Sequence, residues 1–209
     1  MIQVYWSNTE GIERRLRLDD LIKDLPIEMQ KRAFRYKVTE AAYQFAIGRN
    51  LVKKGLEELG IGDAFEKIQF SENEKPFVEE THFNISHTNG MVICAFSKEH
   101  EIGIDIEKIE NKNLSPFDSF FTKNEWNLIH NSENPILSFF QLWVKKESAI
   151  KLLGMSLKDL NTIDTPLLSD SLFFQGTKLF WEALDFGKEY CCSICTENPE
   201  LIHFKQMKF

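Results

Sequence analysis

The stretch Glu101-Ile102-Gly103-Ile104-Asp105-Ile106-Glu107 decides the reading of this chain. Taken as a strand, it sends successive side chains to opposite faces, so Ile102, Ile104 and Ile106 share one side while Asp105 and Glu107 share the other. One face is core. The other carries two carboxylates roughly 6.6 Å apart at about 3.3 Å per residue, close enough for both to turn toward one hard cation. Like charges at that distance repel unless something positive lies between them. The remaining sequence must supply that charge, or the two acids are solvated surface.

Outward from this strand, the bulk composition narrows the classes. A chain of 209 residues buries an ample core without covalent staples. Its net charge of −7 argues against a nucleic-acid or membrane-surface role, because both favour a basic face. No apolar run approaches the roughly 20 residues of a membrane span. The N-terminal segment, with Glu10, Glu13, Asp19 and Asp20, lacks a signal-peptide pattern, and the expectation is a soluble cytoplasmic protein. The four cysteines, Cys94, Cys191, Cys192 and Cys195, are too few and too clustered for a disulfide framework. Cys192 and Cys195 sit in a strand pattern that sends them to opposite faces, so they read as reduced core thiols.

Upstream of the acids, Gln30 to Leu59 is helical in pattern, with Gly60 as its stop. Its polar face holds Arg32, Arg35, Lys37, Arg49, Lys53 and Lys54, a basic cluster in an acidic chain and a candidate phosphate-binding face. Asn73 to Phe77 is a turn that sets Lys75 beside Pro76. Phe83 to Gly90 runs from a strand into a polar turn, with Ser86 and His87 near its end. Adjacent strand residues face apart and no third orienting group is evident, so these two read as hydrogen-bonding groups rather than as a nucleophile and its base.

Downstream, the polar stretch Lys108 to Ser115 marks the junction of two halves, 1–106 and 107–209. Thr122 and Glu125 have the spacing of a capping box. Ile136 to Leu153 is the longest helical run of the second half. Projected at 100° per residue, it places Lys146 inside the apolar stripe of Phe139, Leu142, Trp143, Ala149, Ile150 and Leu153, where a lysine needs a carboxylate partner or must snorkel to solvent. Glu147 and Lys151 follow Trp143 at successive i+4 steps along the edge of that stripe. Short strand patterns at Leu172–Gln175, Leu179–Leu184, Tyr190–Cys195 and Leu201–Phe204 complete an α+β composition in each half.

Three segments now fall into one order: GIDIE at 103–107, FFTKNEW at 120–126 and WVKKESAIK at 143–151, with KPF at 75–77 and FNISHTNG at 83–90 upstream. The chain resembles the broad-specificity 4′-phosphopantetheinyl transferases of the surfactin-synthetase-activating type. The resemblance implies two similar α+β lobes related by a pseudo-twofold axis, with the active site in the cleft between them, in a monomeric enzyme. It implies transfer of the phosphopantetheine arm of coenzyme A to a serine of an apo-carrier protein (acyl, peptidyl or aryl), leaving adenosine 3′,5′-bisphosphate.

By the same resemblance, Asp105, Glu107 and Glu147 stand at Mg²⁺-ligand positions. Arg32, Arg49, Lys75, Pro76, Ser86, His87 and Lys151 stand at coenzyme-contacting ones. Gln44 departs from an arginine common in relatives, and Glu74 from a glycine before the lysine. The residue chemistry agrees: a pyrophosphate needs local positive charge, which a carboxylate-held Mg²⁺ and Lys151 would supply. Glu147, or a water held by Glu107 or Glu125, is the candidate base for the acceptor hydroxyl. The alternatives are another Mg²⁺-dependent phosphoryl-transfer or hydrolysis enzyme, and a non-catalytic module that binds carrier proteins.

Overall fold

The computed structural model describes residues 1–71 and 75–209; Asn73 and Glu74 of the sequence argument lie outside the described residues. In chain order the elements are β1 (Ile2–Asn8), α1 (Leu18–Ile22), α2 (Ile27–Arg35), α3 (Thr39–Glu58), β2 (Gln69–Phe70), β3 (Pro76–Phe77), β4 (His82–Thr88), β5 (Met91–Ser97), β6 (Ile102–Lys108), α4 (Lys123–Asn131), α5 (Pro135–Leu153), β7 (Ser171–Phe174), β8 (Thr177–Ala183), β9 (Tyr190–Thr196) and β10 (Ile202–Gln206). Short 3₁₀ turns join several of them. The fold is α+β, as the sequence patterns indicate. No helix among the described residues is long and apolar enough to cross a membrane.

Two four-stranded sheets, ordered β10-β1-β5-β4 and β6-β9-β8-β7, form the frame, and β2 and β3 pair separately. Apolar side chains on both faces of each sheet dictate what covers them. On the first sheet, Tyr5, Phe83, Val92, Cys94 and Phe96 pack under Ala46, Leu51 and Val52 of α3. Its other face presents Ile2, Val4, Ile93 and Ala95, which pack against Ile102, Ile104, Ile106 and Ile194 of the second sheet. Helix α5 covers the far side of that second sheet, with Ala149, Ile150 and Leu152 against Leu179, Trp181 and Cys195. The layers are therefore helix, sheet, sheet, helix. The isoleucines at 102, 104 and 106 are all fully buried between the sheets, so the alternation read from the sequence sets β6 correctly.

The two sequence halves interleave at their ends. β6, which closes the first half, opens the second sheet against β9, and β10, at the end of the second half, completes the first sheet as a parallel partner of β1. The region 30–59 is two helices rather than one. The chain is extended at Tyr36 and Val38, and Tyr36 lays its ring 5.5 Å from that of Phe45. That contact fixes a bend that local periodicity does not encode. All four cysteines are free and buried, and Cys192 and Cys195 belong to different core clusters on opposite faces of β9.

Candidate active site

The site begins where the two sheets meet edge to edge along β4 and β6. Asn84, Ser86 and Thr88 alternate on one face of β4, and each accepts a hydrogen bond from a backbone N–H of β6: Ile104 to Asn84 at 3.0 Å, Ile106 to Ser86 at 3.3 Å and Lys108 to Thr88 at 3.0 Å. Side chains thus do the work of a missing backbone ladder, satisfying the edge of β6 and fixing its register. The hydroxyls also reach the acids. Ser86 donates to Asp105 Oδ1 at 2.7 Å and Thr88 to Glu107 at 3.1 Å.

Helix α5 meets the same strand at Gly103. A Cβ there would lie 1.9 Å from the carbonyl oxygen of Ser148 and 2.6 Å from the amide nitrogen of Leu152, so only glycine lets the helix backbone come this close. The approach brings Lys151 onto the acids. Its ammonium lies 2.6 Å from Asp105 Oδ1 and also donates to Ser86 Oγ at 3.2 Å and the Ile104 carbonyl at 3.3 Å. Burial works to lower the Lys151 pKa, but Asp105 and then Glu147 outweigh it and raise it, so the ammonium stays charged.

Glu147, one turn earlier, is raised to about 7, first by burial and further by Asp105 and Glu107, against the lowering effect of Lys151. Glu107 is raised as well, by burial and then by Asp105. Three carboxylates therefore feel one another across the strand–helix junction with one lysine between them. Among the described residues, no three His, Cys, Asp or Glu side chains stand close enough together to hold a metal ion as arranged. The donor chemistry nonetheless fits a hard cation: every candidate ligand is a carboxylate, and Asp105 Oδ2 is buried with no hydrogen-bond partner among the described residues.

Beside the acids opens a cavity of about 320 Å³, lined by Arg32, Arg49, Lys75, Pro76, His87 and Lys151 among others. Six residues nominated from the sequence thus converge from α2, α3, β3 and the residue before it, β4 and α5. Arg49 is 8% exposed, its guanidinium 5.0 Å from the Phe45 ring centre and 5.9 Å from that of Phe70, and its buried Nη1 lacks a hydrogen-bond partner among the described residues. Burial lowers the Arg49 pKa and the neighbouring Arg32 lowers it further. Two guanidiniums held together over one aromatic ring, one of them incompletely satisfied, form a site for an anion. His87 is lowered by its surroundings and then by Lys151, which favours the neutral imidazole.

Ser86 falls differently, and two of the lining residues are already engaged. Ser86 lies behind the cavity, 5% exposed, its hydroxyl engaged by Asp105, Lys151 and the Ile106 amide. Lys75 pairs with Glu101 at 2.6 Å, and Glu101 also meets His82 at 3.0 Å. Gln44 donates to Glu40 and to the Thr88 carbonyl.

Glu125 is apart from the acid cluster. It is 1% exposed, both oxygens lie 2.7 Å from the Lys146 ammonium, and it also accepts from the Thr122 and Thr165 amides. Of the two resolutions open to the lysine in the apolar stripe, the structure takes the carboxylate, and Lys146 is paired with Glu125. Asn84, Thr88 and Gly103 were not singled out from the sequence, although the alternation Asn84-x-Ser86-x-Thr88 carries the signal.

Comparison with known proteins bears on this junction directly. The family model of the 4′-phosphopantetheinyl transferase superfamily matches residues 101–195, from the start of the acid strand through α5 to β9. The 4′-phosphopantetheinyl transferase Sfp of Bacillus subtilis strain 168 is 34% identical over 186 residues, covering 83% of this chain and 82% of Sfp. The chain belongs to the 4′-phosphopantetheinyl transferase family.

Similarity to the gsp transferase of Aneurinibacillus migulanus is higher, 39% over 132 residues, but spans 61% of this chain and about half, 55%, of that relative. HetI of Nostoc, also named a 4′-phosphopantetheinyl transferase, is 26% identical over 84% of the chain. The region of this chain that the family model matches contains Asp105, Glu107, Glu147 and Lys151, whereas Arg32, Arg49, Lys75 and His87 precede it.

Proposed function

We propose that the chain transfers 4′-phosphopantetheine from coenzyme A to a serine of an apo-carrier protein, releasing adenosine 3′,5′-bisphosphate. The observation that carries the reading is the junction itself. A cavity lined by arginine and lysine opens onto a lysine already paired with one of three mutually repelling carboxylates.

In this reading the nucleotide end of the coenzyme occupies the cavity, its phosphates answering Arg49, Arg32 and Lys75 and its purine meeting the aromatic and Pro76 surface. Lys75 would exchange Glu101 for phosphate. Asp105, Glu107 and Glu147 would hold Mg²⁺, which when bound supplies the positive charge that the pyrophosphate and the acids both require. The serine oxygen of the acceptor forms a bond to the β-phosphorus, and the bond from that phosphorus to the oxygen bridging it to the α-phosphate breaks. Glu147 takes the serine proton. Lys151 stabilises the negative charge that develops on the phosphoryl oxygens. Ser86 and Thr88 hold Asp105 and Glu107 in place for this chemistry.

We read the halves 1–106 and 107–209 as lobes related by a pseudo-twofold axis, supported by the helix-on-sheet layer in each, and the enzyme as a cytoplasmic monomer. The test is incubation with coenzyme A, Mg²⁺ and a set of apo acyl, peptidyl and aryl carriers, followed by intact-mass measurement. The expected result is addition of one phosphopantetheine to at least one carrier at its serine. Release of adenosine 3′,5′-bisphosphate with no carrier modified would replace transfer with hydrolysis, and no turnover of either kind would overturn the reading.

A further inference from the structure

Asp105 has neighbours on both sides of its strand, and the two sides are chemically alike. On the β4 side Ser86 donates to Oδ1. On the β9 side the directly opposed residue is Ser193, the antiparallel partner of Asp105 in the β6–β9 pairing. Opposed residues of an antiparallel pair point to the same face with Cβ atoms about 4.5–5.5 Å apart. Both groups are buried, Asp105 at 3% and Ser193 at 2% exposure. Among the described residues, Asp105 Oδ2 and Ser193 Oγ are both without a hydrogen-bond partner. A buried carboxylate oxygen and a buried hydroxyl, each lacking a partner, thus occupy facing positions in one ladder.

We propose that Ser193 is a positioning residue for Asp105, its hydroxyl serving the second carboxylate oxygen as Ser86 serves the first. Rotation about one staggered torsion moves a serine hydroxyl through its three wells with no change in backbone, and the span between the paired positions lies within reach of such a bond. The neighbours on β9 do not compete for the role. Cys191, opposite Glu107, is a weak donor whose thiol pKa burial raises to about 11, and Ile194 faces the core between the sheets. The two serines would clamp the carboxylate plane from both flanks, leaving Lys151 to approach Oδ1. Where Asp105 is read as a metal ligand, the inference rests on the proposed function, because an oriented carboxylate binds a cation more tightly than a mobile one.

Two measurements test the clamp. In metal-free buffer, a double-mutant cycle of Ser193→Ala and Asp105→Asn on chemical unfolding is expected to be non-additive, with a coupling of about fivefold in the unfolding equilibrium constant. Additive effects, or a Ser193→Ala protein more stable than the parent, would show an idle hydroxyl and overturn the assignment. In the second, Mn²⁺ is titrated and the bound ion followed by electron paramagnetic resonance. Ser193→Ala is expected to weaken binding about tenfold, with Ser193→Thr restoring it; an unchanged Mn²⁺ affinity overturns the role. If the parent itself binds no Mn²⁺, the metal reading of the site fails while the unfolding cycle still decides the Ser193–Asp105 contact. Should the alanine variant not fold, Ser193→Cys, close in volume and weak as a donor, takes its place in both measurements.

Discussion

The carbonyl oxygen of Ser148 stands 1.9 Å from where a Cβ on Gly103 would be, so α5 lies directly on the backbone of the acid strand. The same approach sets Lys151 within 2.6 Å of Asp105, because position 151 follows 148 by three residues and lies close to the same helix face. Gly103→Ala is therefore predicted to push the helix away from β6, since both contacting atoms are backbone and neither can rotate aside. Overpacking of this kind costs about 1–3 kcal/mol. The expected outcome is a lower midpoint in denaturant, together with a loss of transfer in the folded fraction larger than the stability change explains. Full activity in a folded Gly103→Ala protein would show that the close approach is not what places Lys151.

Lys151 supplies the positive charge nearest the acids, and its partner Asp105 is almost fully enclosed. Lys151→Gln keeps a polar side chain, one atom shorter, and removes the charge. Loss of one preorganised electrostatic group typically costs about 10²–10³ in kcat. The prediction is a drop of that order in kcat at saturating coenzyme A, with folded spectra unchanged. A change confined to KM would place Lys151 in ground-state binding instead.

Glu125 and Lys146 form a closed unit: the ammonium is fully buried, bonded to both oxygens of the carboxylate at 2.7 Å and to the Ile163 carbonyl at 2.6 Å. Burial lowers the lysine pKa while Glu125 raises it, so the pair survives by mutual charge compensation. Removing one partner strands the other in the core. Glu125→Ala is predicted to cost about 3–5 kcal/mol of stability. The paired change Glu125→Leu with Lys146→Met is predicted to recover much of that loss, and transfer with it. A stable double variant without activity would restore a chemical role to Glu125.

Legibility in the sequence follows the range of the interaction. The alternation in β6, the Thr122–Glu125 capping box and the misplaced lysine of α5 are local patterns, and the structure reproduces all three, down to the reciprocal bonds of the cap. The break between α2 and α3 is not legible, because the extended backbone at Tyr36 and Val38 answers to packing against Phe45 rather than to a proline or glycine. The parallel return of β10 to β1 pairs residues about 200 positions apart, which no local pattern specifies. At the site, residue types showed which groups could meet an anion or a cation. The pairing of Lys75 with Glu101 and the seclusion of Glu125 depend on tertiary placement.

The cysteines give a prediction independent of the active site. All four are free and buried, and burial raises the thiol pKa of each, least for Cys191, which reaches about 11. The thiolate is the reactive form, so little of it is present at neutral pH. Ellman's reagent is expected to label none of them rapidly in the native protein and all four after unfolding. Fast labelling of the native state would mean that a strand of the core opens readily.

Arg49 is the most specific element of the cavity wall. Its guanidinium lies 5.0 Å from the Phe45 ring centre and 5.9 Å from that of Phe70, is mostly enclosed, and carries a buried Nη1 with no hydrogen-bond partner among the described residues. A planar guanidinium presents its N–H groups in a fixed fork, a geometry a lysine ammonium does not reproduce. Arg49→Lys keeps the charge and removes the planar fork. Charge-assisted hydrogen bonds contribute about 1.5–3 kcal/mol, so binding of adenosine 3′,5′-bisphosphate, measured by calorimetry, is predicted to weaken roughly 10- to 100-fold. Because Arg49 is placed away from the acids, kcat at saturating coenzyme A is expected to remain close to the parent value. An unchanged dissociation constant would remove Arg49 from the nucleotide site, and a fall in kcat with affinity intact would move its contact toward the reacting phosphates.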